Sequence, residues 1–352
     1  MRIALVNATH SWGGVKTWML ELAECLVQNG HQVFTYARQE VFAEQAAKRL
    51  GHGERIRFGA DANPRAVHFF ARQFAEKRIE AVLTNVKKDL TTGGIAARLL
   101  KLPVVQFIGL PNDIRSTFIN RCLDRFIRPR YLCSCRFIGD GFLQAVPYVP
   151  AERMKVILNG KEVSAASSGV STPRRLAATQ QIIPGKAHGT LLRALSQVKG
   201  EWRLDIAGTG SDMPAMQELA EKLGISGRIV WHGFSTDVRG LLARSDIFLL
   251  ASEYEGLPNT LQEALAEGVL PICRDVGGVR EVLEGELMDW LVPEASGPEQ
   301  FKVAIERALG LTDAELLRIK GVAREACRKH CEIHVQAAAF VDWLEKMISE
   351  KE

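Results

Sequence analysis

The stretch Phe248-Leu249-Leu250-Ala251-Ser252-Glu253-Tyr254-Glu255-Gly256-Leu257-Pro258-Asn259-Thr260-Leu261-Gln262-Glu263-Ala264-Leu265-Ala266-Glu267-Gly268 passes from an apolar run through two turn residues, Gly256 and Pro258, into helix formers closed by a glycine. It reads as strand, loop and helix, with the first free helical N–H groups around Asn259 to Gln262. A helix N-terminus at the carboxyl end of a strand attracts anions. Glu255 falls in the loop and Glu263 one to two turns into the helix. Both carboxylates can therefore face one ligand whose phosphates are held by the backbone amides between them. Carboxylates accept hydrogen bonds from hydroxyls, and sugar or ribose hydroxyls are donors of the right kind. An ordinary junction with solvated acids is the alternative.

The same alternation runs outward in both directions. Arg2–Asn7 reads as a buried parallel strand, followed by a loop with Gly13 and Gly14, a helix through Met19, Leu22, Ala23, Leu26 and Val27, a stop at Asn29-Gly30 and a strand over residues 31–36. Further strands are expected at 55–58, 79–84, 103–108, 130–133 and 155–158, alternating with helical stretches. This is the pattern of a parallel sheet covered on both faces. From residue 159 to about 175 the composition turns to Ser, Ala, Gly, Thr and Pro, a linker. Strands then resume at 176–183, weakly patterned, and at 202–207, 228–231, 246–250 and 270–273, and the chain is helical from about 313 to 347. The expected fold is α/β, with two doubly wound Rossmann-like domains facing a cleft and a helical C-terminal segment. The expected limits are 1–165, 166–330 and 331–352, the last segment packing back towards the N-terminal domain. Open parallel sheets bind ligands beyond the carboxyl ends of their strands, so the cleft is the expected site.

With 352 residues, 47% hydrophobic and 24% charged, the chain has the length of two domains and an ordinary soluble composition, which excludes disordered, collagen-like and coiled-coil classes. No window holds 18 consecutive apolar residues and the first residues do not form a signal peptide, so a cytoplasmic location is expected, peripheral to the inner face of a membrane as a further expectation. Residues 1–160 carry 23 Lys+Arg against 13 Asp+Glu, a balance of +10, whereas residues 161–352 carry 22 against 28, or −6. Between Arg115 and Arg136 six arginines face only Asp124, interleaved with Phe118, Ile119, Leu123, Phe126, Ile127 and Tyr131. Arg115, Arg121, Arg125 and Arg128 suit an anionic membrane surface if they share a helical face beside Phe118 and Phe126. A solvated helix face is the alternative, and no nucleic-acid partner is expected. Seven scattered cysteines argue against a disulfide framework. Cys327, His330, Cys331 and His334 fall on one helical stripe about 10 Å long, too extended to close a tetrahedral metal site. No metal is expected. Cys133 and Cys135 read as packing residues on one face of a strand.

Residues Glu255 to Glu263 resemble the E-x7-E motif of retaining family 4 glycosyltransferases of the GT-B fold, in a bacterial cell-envelope glycan type of sequence. Arg274-Asp275-Val276-Gly277-Gly278-Val279-Arg280-Glu281 resembles that family's G-G-x-x-E segment, Gly208-Thr209-Gly210 its G-x-G, Val156 to Gly160 its I-x-N-G at the domain junction, and Gly13-Gly14 the glycine pair of its first loop. The resemblance spans most of the chain. It implies that Glu255 contacts hydroxyls of the donor sugar and Glu263 the ribose. Gly256, Leu257, Pro258, Asn259 and Thr260 would line the diphosphate, with Gly13, Gly14 and Gly208 also donor-binding. Pro184 to Ala194 resembles the phosphate-lysine segment, which makes Lys186 the cation that neutralises the leaving diphosphate, with a solvated lysine as the alternative. His188 is placed behind it or at the surface.

Two positions depart from the family pattern. Gln181 stands where arginine is usual, and Gln106-Phe107-Ile108-Gly109-Leu110 occupies the place of the usual N-domain histidine. Asn85, Lys87, Lys88 and Asp89, after the strand ending at Thr84, are candidate acceptor contacts or an exposed polar loop. The implied activity is retaining, metal-independent transfer from a nucleotide-diphosphate sugar, without a cofactor, to a glycan or lipid-linked acceptor in lipopolysaccharide or other envelope polysaccharide synthesis. A catalytically weak or silent sugar-nucleotide-binding protein is the alternative. A sugar-nucleotide epimerase would need acid/base residues that the sequence does not locate.

Overall fold

A computed structural model describes residues 1–165 and 169–350. Its contacts divide the chain into one unit formed by Met1–Gly160 with the stretch from Ile333 onward, and a second formed by Lys161–Glu332.

The first unit holds β1 (Arg2–Asn7), β2 (Gln32–Ala37), β3 (Gly53–Arg55), β4 (Ala81–Thr84), β5 (Val104–Ile108), β6 (Arg130–Cys133) and β7 (Met154–Val156). They form one parallel sheet in the order β3-β2-β1-β4-β5-β6-β7. The order reverses between β1 and β4, where Val6 lies opposite Thr84. β4 and β5 are buried throughout, which is why they read as predominantly apolar runs with only Thr84 and Gln106 polar. The final helix, Ile333–Ser349, belongs to this core: Ile333, Ala337, Phe340, Leu344 and Met347 recur every three or four residues and pack with Trp18, Leu22 and Leu26 of the helix Gly14–Gln28.

The second unit holds β8 (Arg174–Ala178), β9 (Trp202–Ala207), β10 (Ile229–Gly233), β11 (Ile247–Leu250), β12 (Leu270–Arg274) and β13 (Leu291–Val292). The parallel order is β10-β9-β8-β11-β12-β13, reversing between β8 and β11. Lys161 and Glu332, its first and last residues, pair in a parallel bridge.

Most expected strands are present, with three differences. β8 covers 174–178, because its alternation is broken by Arg174 and Arg175; β3 covers 53–55, starting two residues before and ending three before the expected 55–58; and β13, two residues long, has no periodicity to reveal it. Of the expected linker, residues 166–168 lie outside the described residues.

Candidate active site

In the second unit β11 delivers its chain to the loop of residues 251–258, and the helix Asn259–Glu267 follows with Pro258 as its N-cap. The first N–H groups bonded within the helix are those of Leu261 and Gln262, both to the Pro258 carbonyl. Its N-terminus therefore lies at the carboxyl edge beside the reversal, the place where such sheets bind anions. Gly256, Leu257 and Pro258 are buried, and Asn259 and Thr260 half-buried.

Lys186 and Glu255, far apart in sequence, form an ion pair of 2.6 Å. Their loops are joined directly, since the Glu253 N–H donates to the Gly185 carbonyl at 2.8 Å. The turn with Gly277 and Gly278 clasps the same loop. Gly277 has φ +58, a Cβ there would stand 2.1 Å from the Glu255 carbonyl oxygen, and the Gly278 N–H donates to the Gly256 carbonyl at 2.6 Å. This close approach of two backbones is the physical reason for the glycine pair. Gly208, φ +154, similarly lies against the Gln180 carbonyl, 2.2 Å from where its Cβ would be.

Glu263 faces Lys161 at 3.2 Å; both are buried, and Glu263 keeps 8% of its surface exposed. Lys161 was not anticipated from sequence, although it directly follows the Asn159-Gly160 signal. Arg239 joins the same helix, its Nε donating to Glu267 at 2.7 Å. Gln181 is exposed just beyond β8, while the neighbouring Gln180 is buried and donates to the Leu249 carbonyl at 2.9 Å. His188 is not a surface residue. It opens the helix His188–Leu195 with 3% exposure, and its Nε2 has no hydrogen-bond partner. Burial, with the Lys186 charge adding to it, pushes the imidazole down to about 4, so it is neutral at physiological pH.

In the first unit, Gly13 caps the helix Gly14–Gln28 and a Cβ there would meet nothing within 4 Å. Gly13 and Gly14 are thus in a different unit from the glutamates and Lys186. Lys87 and Lys88 both reach Asp61, at 3.8 and 2.5 Å. Asp89, the last of these polar candidates, is not in an exposed loop but organises it from within. Buried Asp89 accepts the Ala8 N–H at 2.7 Å with one oxygen and the Asn85 and Val86 N–H groups at 3.0 and 2.9 Å with the other, tying the loops after β1 and β4 together. Burial pushes this carboxyl up to about 7 against the pull of the three N–H donors. A π-helical turn, Leu90–Gly94, follows it. Gln106, in the place of the usual histidine, is consumed internally: its Oε1 accepts from the Thr84 hydroxyl at 2.7 Å and its Nε2 donates to the Asn85 and Phe107 carbonyls.

The proposed arginine face is also corrected. The helix is Phe118–Ile127, so it carries Arg121 and Arg125, while Arg115 precedes it and Arg128 caps it at φ +54. All four arginines are exposed, as are Phe118 (81%), Ile119 (62%) and Phe126 (49%). Asp124 is turned inward, bonded to Tyr131 and Arg153. The Cys/His stripe does not lie on one helix: the first ends at Cys331 and a second begins at Ile333. Cys327 and Cys331 touch at 3.4 Å, His330 bonds Glu284, and His334 reaches Cys25. Cys133 ends β6 and Cys135 caps the next helix, so no strand alternation relates them; both are buried.

Sequence profiles match both units: "Glycosyltransferase Family 4" over residues 12–164 and "Glycosyl transferases group 1" over residues 173–310. The lipopolysaccharide 1,6-galactosyltransferase of Escherichia coli is 37% identical over 102 residues, 28% of this chain and 28% of that protein. Among the first curated relatives the chain thus spans about three-tenths of their length. An uncharacterized glycosyltransferase of Methanocaldococcus jannaschii is 27% identical over 88% of this chain and 89% of its own. In fold, the chain is similar to Anabaena HepE, solved in complex with UDP and glucose, at 18% identity and a TM-score of 0.83, covering 98% of this chain and all of that one. Two parallel sheets that each reverse strand order, an E-x7-E junction clasped by its glycine pair, and profile matches through both units lead to one conclusion: the chain belongs to the family 4, or group 1, glycosyltransferases of the GT-B fold.

Proposed function

We propose that the protein is a retaining glycosyltransferase whose second unit binds a nucleotide-diphosphate sugar and whose first unit binds a glycan or lipid-linked acceptor, in the synthesis of lipopolysaccharide or another envelope polysaccharide. The observation that carries this reading is the E-x7-E junction, in which each carboxylate stands beside a lysine: Glu255 with Lys186 and Glu263 with Lys161. In this reading the diphosphate takes Lys186 and the helix N-terminus, which stabilise the charge developing on the leaving group. Glu255, released from Lys186, accepts from donor-sugar hydroxyls, and Glu263 accepts from the ribose. The UDP and glucose of the Anabaena structure support a sugar nucleotide as the donor class, and the galactosyltransferase relative supports an envelope glycan as the acceptor.

A thermal-shift panel of nucleotides and nucleotide sugars tests the donor, since a ligand at 100 times its dissociation constant stabilises by about 2.7 kcal/mol. Transfer by the responding donor should persist in excess EDTA. No response to any nucleotide sugar, or activity that returns only with added manganese or magnesium, contradicts the reading.

Gln181 and Gln106 favour the second reading, a silent sugar-nucleotide binder: one leaves a neutral amide where the family pattern has a charge, and the other spends its polar atoms inside the fold. Gln181→Arg in the full chain separates the two effects. It should tighten nucleotide-diphosphate binding by about 1–2 kcal/mol, the gain of a charge-assisted over a neutral hydrogen bond. Unchanged affinity by titration calorimetry means that Gln181 does not face the diphosphate.

The exposed Phe118, Ile119 and Phe126 beside Arg115, Arg121, Arg125 and Arg128 support a peripheral membrane contact. Among the described residues no helix is long and apolar enough to cross a membrane. The protein should sediment with anionic vesicles and be released as salt rises, since the Debye length falls to about 3 Å at 1 M. Equal partitioning onto neutral and anionic vesicles at every ionic strength would count against this contact.

A further inference from the structure

We propose that Arg38 and His10, at the carboxyl ends of β2 and β1, form a binding site for a phosphate group carried by the acceptor. This deepens the reading that the first unit takes the acceptor and rests on it. Arg38 follows β2 directly, and its N–H donates to the Asn7 carbonyl at 3.0 Å, so its backbone continues the sheet ladder. The residue is thereby fixed one strand from the reversal between β1 and β4. Its guanidinium lies over the buried Phe58 ring, 5.5 Å from the centroid, a contact that orients the planar fork.

The charge of this fork is not neutralised nearby. Its Nη1 is 2.6 Å from His10 Nε2; a guanidinium only donates, so the imidazole is the acceptor there. Among the described residues no carboxylate lies within ion-pairing distance of Arg38, in contrast to Arg49, Arg55 and Arg72, each paired with a glutamate. Asp89 feels its charge from farther away, but that carboxylate is buried and already accepts three N–H groups.

The loop that carries His10 is held from beneath by a buried ammonium. Lys16, 1% exposed, donates to the Thr9 carbonyl at 3.1 Å, the Ser11 carbonyl at 2.8 Å and Gln39 Oε1 at 2.7 Å. The first two carbonyls flank His10 and the third acceptor adjoins Arg38, so one cation organises both residues and adds its own positive potential. Burial lowers its pKa to about 8, which leaves it mainly protonated at neutral pH. A planar fork with uncommitted N–H donors, above a fixed positive charge, suits a phosphate monoester or a diphosphate, either of which carries nearly two negative charges in total. The phosphate would come either from a phosphorylated glycan or from the diphosphate that joins a glycan to its lipid.

Inorganic pyrophosphate is the probe, titrated into the full chain carrying Lys186→Met so that the donor-side cation is absent. The histidine ring-proton resonances are followed, that of His10 being identified by its loss in His10→Gln. The His10 resonance should move on titration, and adding Arg38→Gln should weaken the apparent affinity at least tenfold. A resonance that does not move at millimolar pyrophosphate, or an affinity unaltered by Arg38→Gln, overturns the site. In transfer assays Arg38→Gln should raise KM about tenfold for phosphorylated acceptors and leave it unchanged for their dephosphorylated forms. Soluble sugar phosphates and lipid diphosphates, assayed separately, show which source is used. An equal rise in KM for a carboxylated, phosphate-free glycan also overturns the assignment. Pyrophosphate binding without transfer from any sugar nucleotide would sink the glycosyltransferase reading and leave the anion site standing, whereas transfer with the parent KM in Arg38→Gln would do the reverse.

Discussion

Glu255→Gln is expected to lower turnover tenfold to a hundredfold while nucleotide diphosphate binds at least as tightly as before. The substitution keeps the size of the side chain but turns charge-assisted hydrogen bonds into neutral ones, a loss of about 1–2 kcal/mol for each bond to a donor hydroxyl, and each 1.36 kcal/mol is a factor of ten in rate. The direction of the binding effect follows from the 2.6 Å ion pair. In the free protein the Glu255 carboxylate competes with the diphosphate for Lys186, and an amide competes less. Steady-state kinetics and calorimetry on the same preparation test both halves. Unaltered turnover, or tenfold weaker nucleotide binding with the fold intact, would falsify the paired roles. Lys186→Met is the reciprocal case and should lose nucleotide affinity as well as rate.

The second large effect is on stability. Lys161 is 2% exposed and its ammonium faces Glu263. Glu263→Ala breaks this buried pair, a change that typically costs about 3–5 kcal/mol, whereas replacing both partners by apolar groups is often neutral. The melting temperature of Glu263→Ala should fall by roughly 10 °C, and Lys161→Met combined with Glu263→Leu should recover most of the loss. Nucleotide binding should remain weak in the double variant, because the ribose contact is still missing. If the single substitution costs less than 1 kcal/mol, Lys161 has other partners sufficient to hold it. If the double variant binds nucleotide like the parent, Glu263 does not contact the ribose.

The pattern that made the fold legible was periodicity. Apolar runs such as Phe248–Leu250 and Val104–Ile108 are strands because both faces are covered, and the turn residues between them mark where helices begin and end. The glycine-rich and acidic motifs could be placed because each has a geometric need: Gly277 is required by the approach of the Glu255 carbonyl, and Pro258 by the start of a helix. Partnerships were not legible. Nothing local to Lys186 specifies Glu255, and nothing near Asp89 announces that it joins two loops, since these contacts are set by which strand ends the topology brings together. The arginine face was overestimated for a related reason: spacing places residues on a helix only as far as the helix runs, and this one stops at Ile127.

The interleaving of the two units bears on the order in which the chain can assemble. Every residue of the second unit leaves the ribosome before the helix Ile333–Ser349, yet that helix supplies Ile333, Phe340 and Leu344 to the same core as Trp18 and Leu22. Trp18, Leu22 and Leu26 therefore wait, with an apolar groove uncovered, until the helix Ile333–Ser349 has been made. Contacts that join such distant parts of the sequence close slowly. A chain truncated after residue 332 should hold a protease-resistant second unit beside a first unit that is still open to cleavage and to chaperones, and only the helix Ile333–Ser349 would close it.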